Sequence, residues 1–298
     1  MEKYIVEMKE DIILRGCGTA LVTPFKDGKV DWDAYEALVT RQAASAVDFL
    51  VPLGTTAETP CLTGDEKWKL LKMTKDLSKG KPVLAGVGTN SLEATAENMS
   101  FLHSAGPDAW LVVVPYYNKP TQEGLFRYFS ALAARTPLPI VLYNVPGRTG
   151  TNMLPETTLR LAEIPNIVGV KEASGNIAQI EEIIRNAPAG FVVLSGNDDQ
   201  TLELMEAGAH GVISVASNIA PDLVADMVHA LREARFDEAE KLNDRLMPLF
   251  KGCFAESNPI PVKAGLSLMG LCSGEMRLPL TSATPGTIAV MKEIIEAL

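Results

Sequence analysis

At 298 residues, 47% apolar and 21% charged, the chain can bury one large core or two ordinary ones and is too apolar to be a disordered segment. A net charge of −10 excludes any general field for attracting nucleic acid or an anionic membrane, so small anions would need local cations and aimed backbone N–H groups. No apolar run reaches the ~18 residues of a membrane span, and the opening MEKYIVEMKEDIIL lacks the apolar centre of a signal peptide.

Residues 1–15 read as an N-terminal extension. Eight short apolar, β-rich runs follow, at 18–23, 49–54, 82–88, 109–115, 139–145, 167–172, 191–196 and 211–215. The segments between them are patterned as amphipathic helices, for example 31–46, 65–78, 92–105 and 122–135. Several runs are apolar on both faces, as parallel strands covered by helices require. Eight such units predict a (β/α)8 TIM barrel over 16–224. The competing arrangement is an open doubly wound sheet, which usually opens on G-x-G-x-x-G. Gly16-x-Gly18 precedes its predicted strand without the third glycine, and Gly86-x-Gly88 leads into Thr89-Asn90-Ser91; tight turns explain both better. After Ser217 the strand pattern ends. Residues 225–298 are expected to form a helical region packed on the barrel, with breaks at 258–261 and 278–287.

A barrel of this kind works at the C-terminal ends of its strands. Those ends carry Gly54-Thr55-Thr56-Ala57-Glu58, Pro115-Tyr116-Tyr117-Asn118, the run Tyr143 to Gly150, Val170-Lys171-Glu172, Ser195-Gly196-Asn197-Asp198 and Ile213-Ser214. Lys171 is the sharpest anomaly, an amine inside the apolar strand Ile-Val-Gly-Val-Lys. Burial disfavours its charged form and so favours the neutral amine that attacks carbonyls. Pairing with Glu172 is the alternative, but neighbouring side chains on a strand point to opposite faces. Imine formation needs proton shuttling, and Tyr143, Thr55 and Tyr117 place hydroxyls at three strand ends. Arg148, after a Pro-Gly turn, is a natural fork for a carboxylate. The turns at Gly54–Thr56 and Gly196 offer N–H groups to another. The four cysteines, Cys17, Cys61, Cys253 and Cys272, form no C-x-x-C pair and suit free thiols in a reducing cytoplasm. Three histidines without H-x-x-H spacing give no basis for a catalytic zinc, so no metal is expected.

Gly54-Thr55-Thr56-x-Glu58, Tyr143-Asn144-x-Pro146 and the strand-borne Lys171, taken in order, resemble the dihydrodipicolinate synthase/N-acetylneuraminate lyase superfamily. The similarity runs from about Gly16 through Asn258-Pro259-Ile260-Pro261-Val262-Lys263 into the C-terminal helices. The stretch from Pro115 to Gly124, Arg148 within Tyr-Asn-Val-Pro-Gly-Arg-Thr-Gly, and Val170-Lys171-Glu172-Ala173 are most similar to the synthase branch. The resemblance implies condensation of pyruvate with L-aspartate-4-semialdehyde in lysine and diaminopimelate biosynthesis. It implies an imine on Lys171, proton transfer by Tyr143, and a relay completed by Thr55 and by Tyr117 from a partner subunit. It implies pyruvate binding by Thr56 and Ile213 and a semialdehyde carboxylate on Arg148. It further implies a homotetramer built as a dimer of dimers, with no metal or organic cofactor.

Two features depart from that pattern. Ala57 stands where a glycine is usual. Gly64 stands where lysine-inhibited members often carry histidine and Lys67 where they sometimes carry another, although Tyr116 and Asn90 match that regulatory site. Weak or absent inhibition by lysine is therefore expected. The runner-up reading is a related aldolase acting on a sialic acid or a 2-keto-3-deoxy sugar acid; Arg148 with Tyr117 argues against it. A barrel that only binds a carboxylate is the reading of another class, and the set Lys171, Tyr143, Thr55 and Tyr117 argues against that.

Overall fold

Eight parallel strands alternate with eight helices in the computed structural model, which describes residues 14–298. The extension expected over 1–15 therefore lies, apart from Leu14 and Arg15, outside the described residues. The strands are β1 (Gly16–Ala20), β2 (Phe49–Val51), β3 (Leu84–Gly86), β4 (Ala109–Val113), β5 (Ile140–Asn144), β6 (Ile167–Glu172), β7 (Val192–Ser195) and β8 (Gly211–Ser214). The helices after them are α1 (Trp32–Ala44), α2 (Gly64–Leu77), α3 (Leu92–His103), α4 (Gln122–Ala133), α5 (Pro155–Ala162), α6 (Ile177–Asn186), α7 (Thr201–Glu206) and α8 (Pro221–Arg232). Strand order runs 2-1-8-7-6-5-4-3. Leu50 then bridges Val83, with Leu50 N–H donating to Pro82 O at 2.9 Å and Gly86 N–H to Pro52 O at 3.0 Å, which closes the sheet into a barrel.

The alternation of each strand divides the core in two. Ala20, Phe49, Val51, Leu84, Leu111, Val141, Tyr143, Leu194 and Ile213 fill the barrel interior. Cys17, Leu50, Ala85, Trp110, Leu142, Val170, Val193 and Val212 face the helices. Each fully buried aliphatic side chain among them contributes roughly 1.5–3 kcal/mol relative to exposure. Strand β1 begins two residues before the predicted run, so Gly16 and Gly18 lie within it and do not form a preceding turn. The reason is close approach: a Cβ on Gly18 would sit 2.1 Å from the Phe49 ring. Side-chain caps start α1 at Asp31, α3 at Ser91, α4 at Thr121 and α6 at Asn176. Helix α2 opens on a full capping box between Thr63 and Glu66.

Three further helices follow, α9 (Phe236–Gly252), α10 (Ile260–Leu268) and α11 (Pro285–Ala297). The expected domain boundary between 224 and 225 falls inside α8, which packs against β1 as the eighth barrel helix. Among the described residues, no helix is long and apolar enough to cross a membrane.

At the opposite end of the barrel from the strands' C-termini, Val193 N–H donates to the Nδ1 of His210 at 3.1 Å. Burial, with Arg15 nearby, holds that imidazole below its ordinary value. The folded state thus binds the proton less readily than the unfolded one. The associated stability is fully present above about pH 6.5 and is lost as pH falls through the depressed folded value. Thermal unfolding of wild type and His210→Asn should show a wild-type advantage that shrinks below about pH 6.5. An advantage constant with pH would refute this.

Candidate active site

Strands β5 and β6 run in register with Tyr143 beside Lys171 and Asn144 beside Glu172. Tyr143 and Lys171 point into the barrel; the Lys171 side chain is 6% exposed, and its Nζ lies 4.5 Å from the centroid of the Tyr143 ring. Glu172 faces the other way and is fully buried. Its carboxylate accepts from Asn144 Nδ2 (3.1 Å to each oxygen), the Ser174 N–H (2.9 Å) and Gln179 Nε2 (3.4 Å). Burial pushes this carboxyl above its ordinary value, opposed by those donors. The Lys171–Glu172 pairing allowed by sequence proximality is thus replaced by a neutral donor set on the outer face.

Tyr143 lines a cavity of about 420 Å³ together with Thr55, Arg148 and Asn258. Thr55 opens a single helical turn after β2, with Thr56 buried beside it. Arg148 sits in a one-turn helix, Pro146–Thr149, directly after β5. Gly196 backs Lys171, for a Cβ there would come within 3.1 Å of the lysine Cε and 2.6 Å of Ala173 Cβ. Its N–H, expected from sequence to serve a carboxylate, is instead donated to the Glu172 carbonyl at 2.7 Å, because the sheet ladder continues to this residue. Ile213 is fully buried in the barrel interior. Tyr117 is not brought to this site by its own chain. It is 88% exposed, on a backbone with φ 74°, a left-handed conformation uncommon for a non-glycine residue.

Three contributors went unassigned in the sequence. Asn258, just before α10, donates from Nδ2 to Thr56 Oγ1 at 3.0 Å, and its carbonyl accepts from Arg148 Nη2 at 3.4 Å. The C-terminal region therefore forms one wall of the barrel mouth. Glu58, at the end of the Thr55 turn, makes an ion pair with Lys263 of α10 at 2.8 Å, both side chains fully buried. Burial pulls the Lys263 amine down and Glu58 opposes the pull. Lys263 sits in the apolar run Ile-Pro-Val-Lys-Ala-Gly-Leu, the same anomaly that singled out Lys171, so the signal was present. Asp198, after β7, is buried and accepts from the Val215 and Ala216 N–H groups beyond β8 at 2.9 and 3.1 Å. Burial raises its carboxyl, opposed by hydrogen bonds and by Lys171.

The sequence matches the dihydrodipicolinate synthetase family over residues 13–298. A 4-hydroxy-tetrahydrodipicolinate synthase of Thermotoga neapolitana is 46% identical over 288 residues, spanning 95% of this chain and 98% of that protein. Among solved structures, dihydrodipicolinate synthase from Thermotoga maritima superposes with a TM-score of 0.93 at 45% identity, covering 95% of this chain and 99% of that one. A structure described as the first monomeric dihydrodipicolinate synthase variant matches with the same TM-score and identity, covering 95% of this chain and 96% of that one.

Proposed function

The chain belongs to the dihydrodipicolinate synthetase family, and on that premise we propose that it condenses pyruvate with L-aspartate-4-semialdehyde through an imine on Lys171, giving 4-hydroxy-tetrahydrodipicolinate for lysine and diaminopimelate biosynthesis. The observation that carries the reading is an inward lysine against an inward tyrosine, beside a cavity bearing an arginine. The Lys171 amine adds to the pyruvate ketone, and loss of water leaves a protonated imine. That imine is an electron sink, so the chemistry calls for no metal or organic cofactor. A methyl proton leaves to Tyr143 and the enamine carbon attacks the aldehyde. The semialdehyde amine then displaces Lys171 and closes the ring. Thr55 and Tyr117 extend the proton relay. Thr56 and the backbone at Ile213 hold the pyruvate carboxylate, and Arg148 holds the carboxylate of the second substrate. Pyruvate consumption by the purified protein tests this. It should depend on the aldehyde; consumption indifferent to the aldehyde would refute the synthase reading and leave sugar-acid cleavage to be assayed.

The assembly supported by Tyr117 is a homo-oligomer in which that exposed side chain enters a partner's site, as in a dimer of dimers. Tyr117→Phe and Lys171→Ala chains should each be nearly inactive and regain activity when unfolded and refolded together, because a mixed dimer rebuilds one complete site. Recovery no greater than the sum of the two alone would refute the shared site. The four free thiols, two of them buried, suit a cytoplasmic setting.

Lysine is expected to inhibit weakly. Lys67 lines the cavity at a position where lysine-inhibited members sometimes carry histidine, and a cation there repels an incoming ammonium. Half-inhibition should fall at or above roughly 1 mM, a binding free energy no better than about −4 kcal/mol. A titration midpoint well below that would refute it.

A further inference from the structure

The β5–β6 pair contains a register shift. Ile140 pairs with Ile167, but Val141 pairs with Gly169, so Val168 is an extra residue in β6. A bulge re-aims the strand above it. A slip of one residue would turn Lys171 out of the barrel and Glu172 in, because side chains alternate. The apolar side chains around these strands do not oppose such a slip by direction, since apolar contact is non-directional. A polar cluster on the outer face does. Asn144 Nδ2 faces both Glu172 oxygens at 3.1 Å and Asn152 Oδ1 at 2.9 Å, while Asn144 Oδ1 accepts from Met153 N–H at 3.0 Å. Gln179 of α6 exchanges hydrogen bonds with Asn152 at 2.8 and 3.2 Å. Asn144 and Glu172 are each completely buried, and the carboxylate meets neutral donors only.

Resting on the proposed imine chemistry, we propose that Glu172 is a positioning residue: with Asn144 it clamps the register of β5 and β6 above the bulge, and so keeps Lys171 facing Tyr143. The same clamp ties Asn144, before the turn that carries Arg148, to Asn152 and Met153 after it. A buried carboxylate suits this task because it accepts several directional bonds at once, each wrong by a full residue spacing after a slip.

The experiment compares Glu172→Gln with Thr19→Val, which removes a buried outer-face hydrogen bond from Thr19 of β1 to Gln42 of α1, away from the pair. Two quantities are read per folded molecule: the rate at which borohydride traps pyruvate on the protein, and amide exchange over residues 167–172. Glu172→Gln should slow trapping at least about tenfold and speed exchange in that strand, while Thr19→Val at a similar loss of unfolding midpoint changes each by less than about twofold. If Glu172→Gln does not fold, Gln179→Leu removes a peripheral donor and should act in the same direction by about threefold. Wild-type trapping and exchange in the folded variant, or equal slowing by Thr19→Val, would overturn the clamp. A wild-type protein that traps no pyruvate would sink the proposed function instead, and exchange alone would then decide the clamp.

Discussion

Lys171→Ala is expected to abolish borohydride trapping of pyruvate and to lower turnover by at least about a thousandfold, the scale seen when a covalent nucleophile is deleted. The variant should remain folded. The lysine stem contacts Tyr143 and the Gly196 turn, and both lie in a barrel wall held by strand pairing on either side of β6. Lys171→Arg should not restore activity, since a guanidinium stays protonated and cannot form the imine. A pyruvate adduct on another residue, or turnover within tenfold of wild type in Lys171→Ala, would remove Lys171 from its assigned role. The comparison with Lys263 sharpens the expectation. Both lysines are buried and each lies over an aromatic ring, but Lys263 is matched by Glu58 at 2.8 Å, whereas Lys171 has no ion pair among the described residues.

Lys263→Met is the second large effect, and it falls on stability. It leaves the Glu58 carboxylate fully buried without its cation, a loss of roughly 3–5 kcal/mol. The Glu58 Oε2 would still accept from the Arg277 N–H at 3.1 Å, which is too little for an ionised group. Adding Glu58→Gln removes the charge and keeps the acceptor for Arg277. The double variant is expected to recover most of the loss, because replacing both partners of a buried pair is often nearly neutral. Unfolding midpoints of wild type, single and double variants decide the matter. A single variant as stable as wild type, or a double variant no better than the single, would contradict it.

Much of this molecule was legible in its residues. Eight apolar runs gave eight strands, because parallel strands covered by helices must be apolar on both faces. Lys171 stood out by polarity, and strand alternation correctly turned Glu172 away from it. The strand limits were less legible, since Gly16 and Gly18 look like turn residues until Phe49 is seen lying over the second of them. Long-range partners were not legible at all. Glu58 and Lys263 are 205 residues apart, and Thr56 meets Asn258 across a similar gap. Periodicity tells which face a side chain takes; it carries no information on which distant segment lies opposite. Tyr117 shows a related limit. Its hydroxyl lies at a strand end as expected, but its backbone turns the ring into solvent.

The C-terminal wall of the mouth has a consequence for how the protein comes into being. Synthesis runs from the amino end, so all eight strands exist before the ribosome has made Asn258, Lys263 or Arg277. A chain released too early would lack the wall that covers Glu58 and would leave Thr56 and Arg148 without the residue that ties them together. Loss of the last two helices removes the burial of Val262, Leu266 and Met291, and weakened folds are those that proteases clear. Truncated copies are thus expected to be both incompetent and short-lived.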